Sequence, residues 1–474
     1  MTVSRNTLVS SLLGSHETVE LFERLGLLHS CVVDPLLMVP YVSIFPLEIR
    51  TPDFSNCNHH ERSRNSQQQS LFFVTDWHPT VLATTTVGAE NHGAVMYIGP
   101  DSLALVAHWP LILSQTLQNQ EEKSTLSSSS NASGCSLRIL DFGCGSGIQA
   151  LSMISILGAC GIRAKATCVD INKRALQFTR FNAMINDLDD NVETLEGDVV
   201  TWDEAMNSSG QNQNRSSNIL LSLNHVVEAA PYDIVLANPP FVPVPQSEVE
   251  CGAKEYESQE QDVPVRDSSD IFSKRYGLFS GGGASGEAVL RSILRLTPSL
   301  LSDSLGATVG IVSEFMNPDS TLPRKVQNWW RSSVARSTDQ RRNNRVGHER
   351  NDASSSTCIP SVGIVFTNQY PVSAHVYASR RAGNDKQEME RWEKHLENEG
   401  IFSISPGLLF IFRCTNQPRH DECISMSRNQ RNSPSLRLHH FMVPKSSLGS
   451  VWTPHNYEAV KFAIQKIKET LTSS

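Results

Sequence analysis

From Leu137 onward, apolar residues fall into short runs separated by stretches with helical spacing. Runs of four to eight apolar residues suit strands buried on both faces, and repeats at three and four residues suit helices packed on them. The pattern predicts strands at 137–141, 165–169, 192–195, 233–237 and 306–313, with helices at 147–158, 172–186 and 286–301. Two further strands, near 362–366 and 407–413, flank a helix at 387–398. Strands alternating with helices predict a mainly parallel sheet covered on both faces.

The pattern ahead of this region is different. Residues 1–30 read as helical, with apolar stripes from Leu8, Leu12, Leu13, Val19, Leu21, Phe22 and Leu25. Val32 to Leu47 is apolar but carries three prolines, which suits short strands and turns. Leu71–Val74, Val95–Ile98 and Leu103–Ala107 read as strands. This part, residues 1–114, is expected to form a small α+β domain. A Ser/Gln/Asn-rich linker over 115–136 is expected to join it to a second domain over 137–474. Polar stretches interrupt both parts, at 55–70, 204–224, 246–275, 331–358 and 415–438. They are short of apolar residues and read as surface loops. Arg331, Arg336, Arg341, Arg342 and Arg345 make one of them basic; with no interleaved aromatics it reads as a solvated loop.

Composition narrows the function classes. Across 474 residues the hydrophobic share is 39%, as expected for a core diluted by polar inserts. A net charge of -8 leaves no bulk positive field for a nucleic-acid backbone. Ten cysteines occur without a Cys-x-x-Cys pair, so no metal site is expected and a reducing compartment is favoured. The N-terminus lacks a basic start followed by an apolar run, and no stretch reaches the ~18–20 apolar residues that span a bilayer. The expected location is the cytoplasm, with no membrane partner.

The candidate chemistry lies in two strings. In Leu137-Arg-Ile-Leu-Asp-Phe-Gly-Cys-Gly-Ser-Gly147, a strand breaks into a glycine turn before a helix. Gly143, Gly145 and Gly147 let the chain turn sharply and let a ligand approach the backbone, including that of Cys144 between them. The spacing is neither that of dinucleotide enzymes nor that of a phosphate loop, so a cofactor without phosphates is favoured. Asp141, Asp170 and Asp198 fall at successive strand ends, where such sheets bind ligands. Asp170 can accept from both hydroxyls of a ribose, and Asp198 from the exocyclic amine of adenine.

The second string is Asp233-Ile-Val-Leu-Ala-Asn-Pro-Pro-Phe241. Pro239 and Pro240 stiffen the turn and remove two donors, leaving carbonyls free to accept. The Asn238 side chain adds an acceptor. A planar amide or aromatic amine could give one hydrogen to Asn238 and one to the Pro239 carbonyl, with Phe241 flat against it. Such chemistry needs placement and desolvation more than a strong base.

Together these residues resemble class I S-adenosylmethionine-dependent methyltransferases of the methyltransferase small domain group. That group includes release-factor glutamine methyltransferases and amino-group methyltransferases of ribosomal and transfer RNA. The resemblance is specific over 137–315 and weaker to 407–413. Val33-Asp-Pro, Phe73-Val-Thr-Asp-Trp and Gly281-Gly-Gly-Ala-Ser-Gly-Glu also resemble two-domain methyltransferases with a winged-helix-like first domain. The resemblance implies a seven-stranded Rossmann-like sheet with an antiparallel last strand, and S-adenosyl-L-methionine as cofactor. It assigns Asp170 to ribose, Asp198 to adenine and Asn238 to the acceptor nitrogen. The expected acceptor is macromolecular: a protein glutamine, or an adenine or guanine amine in RNA or DNA. A non-catalytic S-adenosylmethionine-binding scaffold is the alternative. Departures from the family are the insert at 246–275 and a first domain unlike the release-factor-binding one.

Of the remaining residues, Asp76-Trp77-His78-Pro79 reads as a polar turn, and Gly281 to Gly286 as either a mobile lid or a linker. His59-His60 and His439-His440 read as surface residues, and Trp329-Trp330 as packing a helix onto the sheet.

Overall fold

The computed structural model describes residues 3–4, 16–24, 28–30, 37–40, 42–50, 68–76, 95, 98–108, 136–207, 217–245, 280–304, 306–332, 361–413 and 436–443. Its strands are β1 (Val3–Ser4), β2 (Leu28–Ser30), β3 (Leu37–Pro40), β4 (Val42–Arg50), β5 (Gln68–Asp76), β6 (Leu137–Phe142) and β7 (Ala164–Asp170). They continue with β8 (Val192–Glu196), β9 (Ile234–Ala237), β10 (Thr308–Met316), β11 (Ser361–Asn368), β12 (Val372–Ser373), β13 (Ser403–Arg413) and β14 (Leu436–Val443). The helices are α1 (His16–Arg24), α2 (100–108), α3 (Ile148–Ala159), α4 (Lys173–Ile185), α5 (Val199–Asn207) and α6 (Ser217–Ala229). After β9 come α7 (Ala288–Leu300), α8 (Leu322–Ser332), α9 (Ala374–Ala382) and α10 (Lys386–Asn398).

One sheet organises the molecule. Its order is β14-β11-β13-β10-β9-β6-β7-β8, with β12 added against β13. β6 to β10 pair in parallel, and β13 runs antiparallel between β10 and β11. The α/β sheet and its antiparallel strand agree with expectation, but among the described residues the sheet has nine strands instead of seven. The extra edge strand is β14, in parallel register with β11 from Ser361↔Leu436 to Asn368↔Val443. It begins inside the stretch read as the 415–438 loop, because the polar residues before Leu436 masked its start. His439 and His440 lie in this strand, half-buried, and His440 Nε2 is 2.7 Å from the Thr367 hydroxyl. They are therefore not simple surface residues.

β6 leads to β7 and β8 on one side, after which the chain returns to place β9 on the other side of β6. Such a reversal opens a crevice at the carboxyl ends of the two central strands. The register Phe142↔Ala237 ends both strands level.

Helix α3 explains how the N-terminal elements are used. Ile148-Gln-Ala-Leu-Ser-Met-Ile-Ser-Ile-Leu157 is buried all round, and a mostly apolar helix buried on every side needs cover on every side. The sheet supplies one face. Leu47, Ile49, Leu71 and Phe73 of the β4–β5 hairpin, with Leu105 and Val106 of α2, supply another, within one buried cluster. Full burial of each such side chain stabilises by roughly 1.5–3 kcal/mol.

Polar contacts fix the hairpin's register on α4. Asn182 Oδ1 accepts from Val74 N at 2.7 Å and its Nδ2 donates to Val74 O at 3.0 Å. One helical turn on, Asn186 does the same with Phe72, at 2.8 and 2.7 Å. Two amides at i and i+4 thus pair with alternate strand residues as a neighbouring strand would. Arg174 closes the end of the strand with a two-pronged contact to the Asp76 carboxylate, which also accepts from Val95 N. Asp76 is therefore a docking residue; Trp77, His78 and Pro79 lie outside the described residues.

Several expectations are corrected. Leu103 to Ala107 is helical, because a five-residue apolar run without period fits a buried helix as well as a strand. Of the described residues in 1–30, His16–Arg24 are helical, and Val3–Ser4 and Leu28–Ser30 are strands. The polar stretch 204–224 holds the end of α5 and the start of α6, and the 55–70 stretch ends in the first residues of β5. Val95 and Ile98 belong to no strand, and the residues between them lie outside the described ones. So do the linker over 115–135, His59, His60, the insert at 246–275 and the basic stretch after α8. Trp330 is fully buried between α8 and the sheet, as expected.

Replacing Asn182 by Ala removes its bonds to Val74 and Ser146 and leaves buried strand groups unpaired. Urea unfolding is expected to show a loss of about 2–4 kcal/mol, against ~1 kcal/mol for the half-buried Asn186→Ala. Equal small losses from both would contradict the docking role.

Candidate functional site

Both strings end at the crevice. The glycine turn leaves β6 with Gly143 N and Cys144 N donating to Val169 O at 2.8 and 3.1 Å. Gly143, Gly145 and Gly147 all have positive φ. At Gly147, the residue before α3, φ is +80° and a Cβ would lie 2.9 Å from the Thr179 side chain, so only glycine fits. The Cys144 side chain is buried, its Sγ is 3.5 Å from the Thr179 hydroxyl, and burial pushes its thiol well above the usual range. Cys144 is a packing thiol at the turn.

Of the acids, Asp170 stands at the end of β7. Its carboxylate accepts from Gly145 N at 2.9 Å and Asn172 N at 2.8 Å, and burial raises its pKa against these bonds. The group is thus tied to the glycine turn while keeping further lone pairs. Asp141 is fully buried. Its Oδ2 accepts from Ala150 N at 3.1 Å in the first turn of α3, and its Oδ1 has no hydrogen-bond partner. Burial pushes the Asp141 carboxyl up to about 7. Asp198 follows β8, and its two oxygens accept from Val200 N at 2.9 Å and the Thr201 hydroxyl at 2.6 Å. It therefore caps the start of α5. Gly197 beside it lies so close to the Trp202 ring that a Cβ would be 2.1 Å away.

Asn238 begins the second turn. A Cβ on Gly143 would be 3.8 Å from the Asn238 carbonyl oxygen, so the two turns run side by side. The Asn238 side chain donates through Nδ2 to Asp101 Oδ2 at 2.9 Å and to Ser102 Oγ at 3.0 Å. Its Oδ1 is buried and has no hydrogen-bond partner. Asp101 and Ser102 lie in the first turn of α2, and Ser102 O accepts from Gln149 Nε2 of α3 at 3.0 Å. The sequence reading missed both residues: nothing within the Asn-Pro-Pro-Phe string points to partners more than a hundred positions upstream.

Pro239 is buried, and Pro240 and Phe241 are half-buried. Phe241 packs with Val242, Val244, Met316 and Tyr377 against α9 and α10. The glycine-rich segment is neither a free lid nor a linker. Val242 N donates to Ser280 O, Gly282 N to Val242 O and Val244 N to Gly283 O, forming a short ladder with the second turn. A Cβ on Gly286 would be 2.6 Å from Phe241 O, so the fit needs glycine. Glu287 then anchors the segment, its Oε1 accepting from Lys325 Nζ at 2.6 Å and Met316 N at 3.3 Å. On the far wall, Glu314 Oε2 accepts from the Tyr377 hydroxyl at 3.1 Å, which accepts from Arg381 at 2.7 Å. Burial raises the Glu314 carboxyl, opposed first by Arg381.

Fold and site define an α/β domain in which a glycine turn and an Asn-Pro-Pro-Phe turn lie side by side at the crevice. Residues 134–246 match the family model of a methyltransferase domain. The chain carries an S-adenosylmethionine-dependent methyltransferase domain. No curated protein matches the chain. Similar solved structures include TrmN from Thermus thermophilus, at 16% identity and TM-score 0.20, with 37% of this chain and 33% of that one covered. The chain thus spans about a third of that structure's length. A type I restriction-modification system methyltransferase subunit from Streptococcus thermophilus is similar at 9% identity and TM-score 0.30, covering 80% and 54%. Geranyl diphosphate C-methyltransferase from Streptomyces coelicolor A3(2) is similar at 10% identity and TM-score 0.22, covering 65% and 85%. Among the described residues no helix is long and apolar enough to cross a membrane.

Because the folded state holds Asp141 protonated up to about pH 7, while an unfolded Asp ionises near pH ~4, its contribution to stability is full at low pH and declines as pH rises between them. The decline is expected to total roughly 4 kcal/mol by neutral pH. Denaturant titrations from pH 4 to 8 should show a steeper decline in the wild type than in Asp141→Asn, which keeps the other raised carboxyls; parallel curves would contradict it.

Proposed function

We propose that this chain transfers the methyl group of S-adenosylmethionine to a planar nitrogen of a macromolecule: a glutamine amide of a protein, or an exocyclic amine of a nucleic-acid base. The observation that carries the reading is the Asn238 side-chain oxygen, a buried acceptor without a partner, at the switch point and beside the glycine turn. A buried, unpaired acceptor costs about 1–3 kcal/mol, a cost removed when a donor arrives.

The residues present fit the cofactor. The glycine turn gives close access to the backbone, Asp170 keeps lone pairs for ribose hydroxyls, and the free Asp141 oxygen suits a donor at the turn. Cys144 and the three glycines line that turn. Asp198 holds the adenine amine in this reading, with the lone pairs its capping bonds leave over. Bound there, S-adenosylmethionine supplies a methyl group on a positive sulfur. Asn238 Oδ1 and the Pro239 carbonyl accept the two hydrogens of the acceptor nitrogen. This turns its lone pair out of conjugation and toward the methyl group. Pro240 stiffens the turn and Phe241 supports the planar acceptor. No strong base is required, because the nitrogen becomes acidic once alkylated and can release its proton to solvent.

The N-terminal α+β elements, winged-helix-like in the sequence reading, serve acceptor recognition in this proposal. The cytoplasm is the proposed location, in keeping with the free thiols of Cys144, Cys160 and Cys168.

The test is label transfer from S-adenosylmethionine into a cell extract by wild type and Asn238→Ala, followed by nuclease or protease. The wild type is expected to label one macromolecular fraction, and Asn238→Ala to lose about 100-fold or more in rate while still binding cofactor. Nuclease-sensitive label identifies a base, and nuclease-resistant, protease-sensitive label a protein amide. No label from the wild type, with cofactor bound, would favour the scaffold alternative.

A further inference from the structure

We propose that Asp101, aided by Ser102, is a positioning residue of the acceptor site: it holds the Asn238 amide with Oδ1 turned toward the acceptor nitrogen. This rests on the reading of Asn238 as the group that accepts from that nitrogen.

A primary amide has nearly the same shape in its two orientations, but they are chemical opposites: one presents an oxygen acceptor, the other an NH₂ donor. The stiff Pro239-Pro240 turn fixes where the amide sits and does not choose between them. The choice is made by Asp101 Oδ2 at 2.9 Å and Ser102 Oγ at 3.0 Å, both on the Nδ2 side. Turning the amide over would set its oxygen against a carboxylate oxygen and present NH₂ to an amine that must donate. Asp101 is 5% exposed, so solvent does little to weaken this preference.

Asp101 is itself held in place. Leu105 and Val106 seat α2 in the core over α3, and Gln149 ties the Ser102 carbonyl to that helix. Gln149 stands two residues after Gly147, so the helix that opens at the glycine turn also supports the group that orients Asn238. A segment ahead of the cofactor-binding strands therefore completes the acceptor site.

The test compares wild type, Asp101→Ala, Asp101→Asn, Asn238→Ala and the Asp101→Ala/Asn238→Ala double variant. The initial rate is read with labelled S-adenosylmethionine on saturating cellular RNA and on saturating cellular protein. Affinity for S-adenosylhomocysteine is read by calorimetry. Asp101→Ala is expected to lower the rate about 10- to 100-fold, as for loss of a hydrogen bond to a charged group, with cofactor affinity within about twofold. Asp101→Asn, whose carbonyl still accepts from Nδ2, should fall only about threefold to tenfold. In the Asn238→Ala background, Asp101→Ala should cause no further loss, because its effect passes through Asn238.

An undiminished rate in Asp101→Ala overturns the inference, as does the same loss repeated in the Asn238→Ala background or a parallel loss of cofactor affinity. If Asp101→Ala does not fold, Asp101→Asn and Ser102→Ala take its place, with graded losses again absent from the Asn238→Ala background. A fully active Asn238→Ala would remove the reading of Asn238, and this inference with it. An inactive Asn238→Ala beside a fully active Asp101→Ala would remove the inference alone.

Discussion

The parallel pairing of β6 with β9 is the constraint on which the site depends. The strands end level at Phe142 and Ala237, so the next residue of each, Gly143 and Asn238, begins its turn beside the other. About ninety residues of intervening chain build two more strands and four helices before returning to β6. That return creates the crevice, and the backbone alone brings the Gly143 turn next to the Asn238 turn. Side chains then refine the site: Asp170 ties its carboxylate to Gly145, and the Gly281–Gly286 segment laces onto the turn after Asn238.

A second constraint is helix α3. It must follow the glycine turn at once, and it is mostly apolar and buried all round, so the sheet cannot cover it alone. The β4–β5 hairpin and α2 complete the cover, which draws the N-terminal segment onto the methyltransferase core. Asn182 and Asn186 set the hairpin's register. Placing α2 over α3 brings Asp101 to Asn238, so one packing requirement also shapes the polar side of the crevice.

Much of this was legible in the sequence. The strands and helices predicted between 137 and 316 fall within a few residues of those observed, because buried parallel strands and the helices on them have distinct spacings, but α5 and α6 were not predicted. The turns at Gly143 and Asn238 stood out because glycines and prolines have strong local meaning. What escaped was set by long-range packing. Leu103 to Ala107 carries no period, so only its seat on α3 shows it to be helical. The polar start of α6 and the first residues of β14 looked like loop, because edge elements need few apolar positions. Nothing in the 172–186 helix pattern marked Asn182 and Asn186, whose partners are strand atoms over a hundred residues away. Asp198 was read as a ligand group alone, yet it also caps α5, a role that Asp after a strand often takes.

The most direct measurement is a crystal structure of the protein with S-adenosylhomocysteine. The account predicts the ribose hydroxyls on Asp170, the sulfur beside the Gly143 turn, and the Asn238 oxygen facing the open side of that sulfur with its Nδ2 still on Asp101. A nucleoside bound away from the β6–β9 crevice, or an Asn238 amide turned with its nitrogen toward the sulfur, would contradict it.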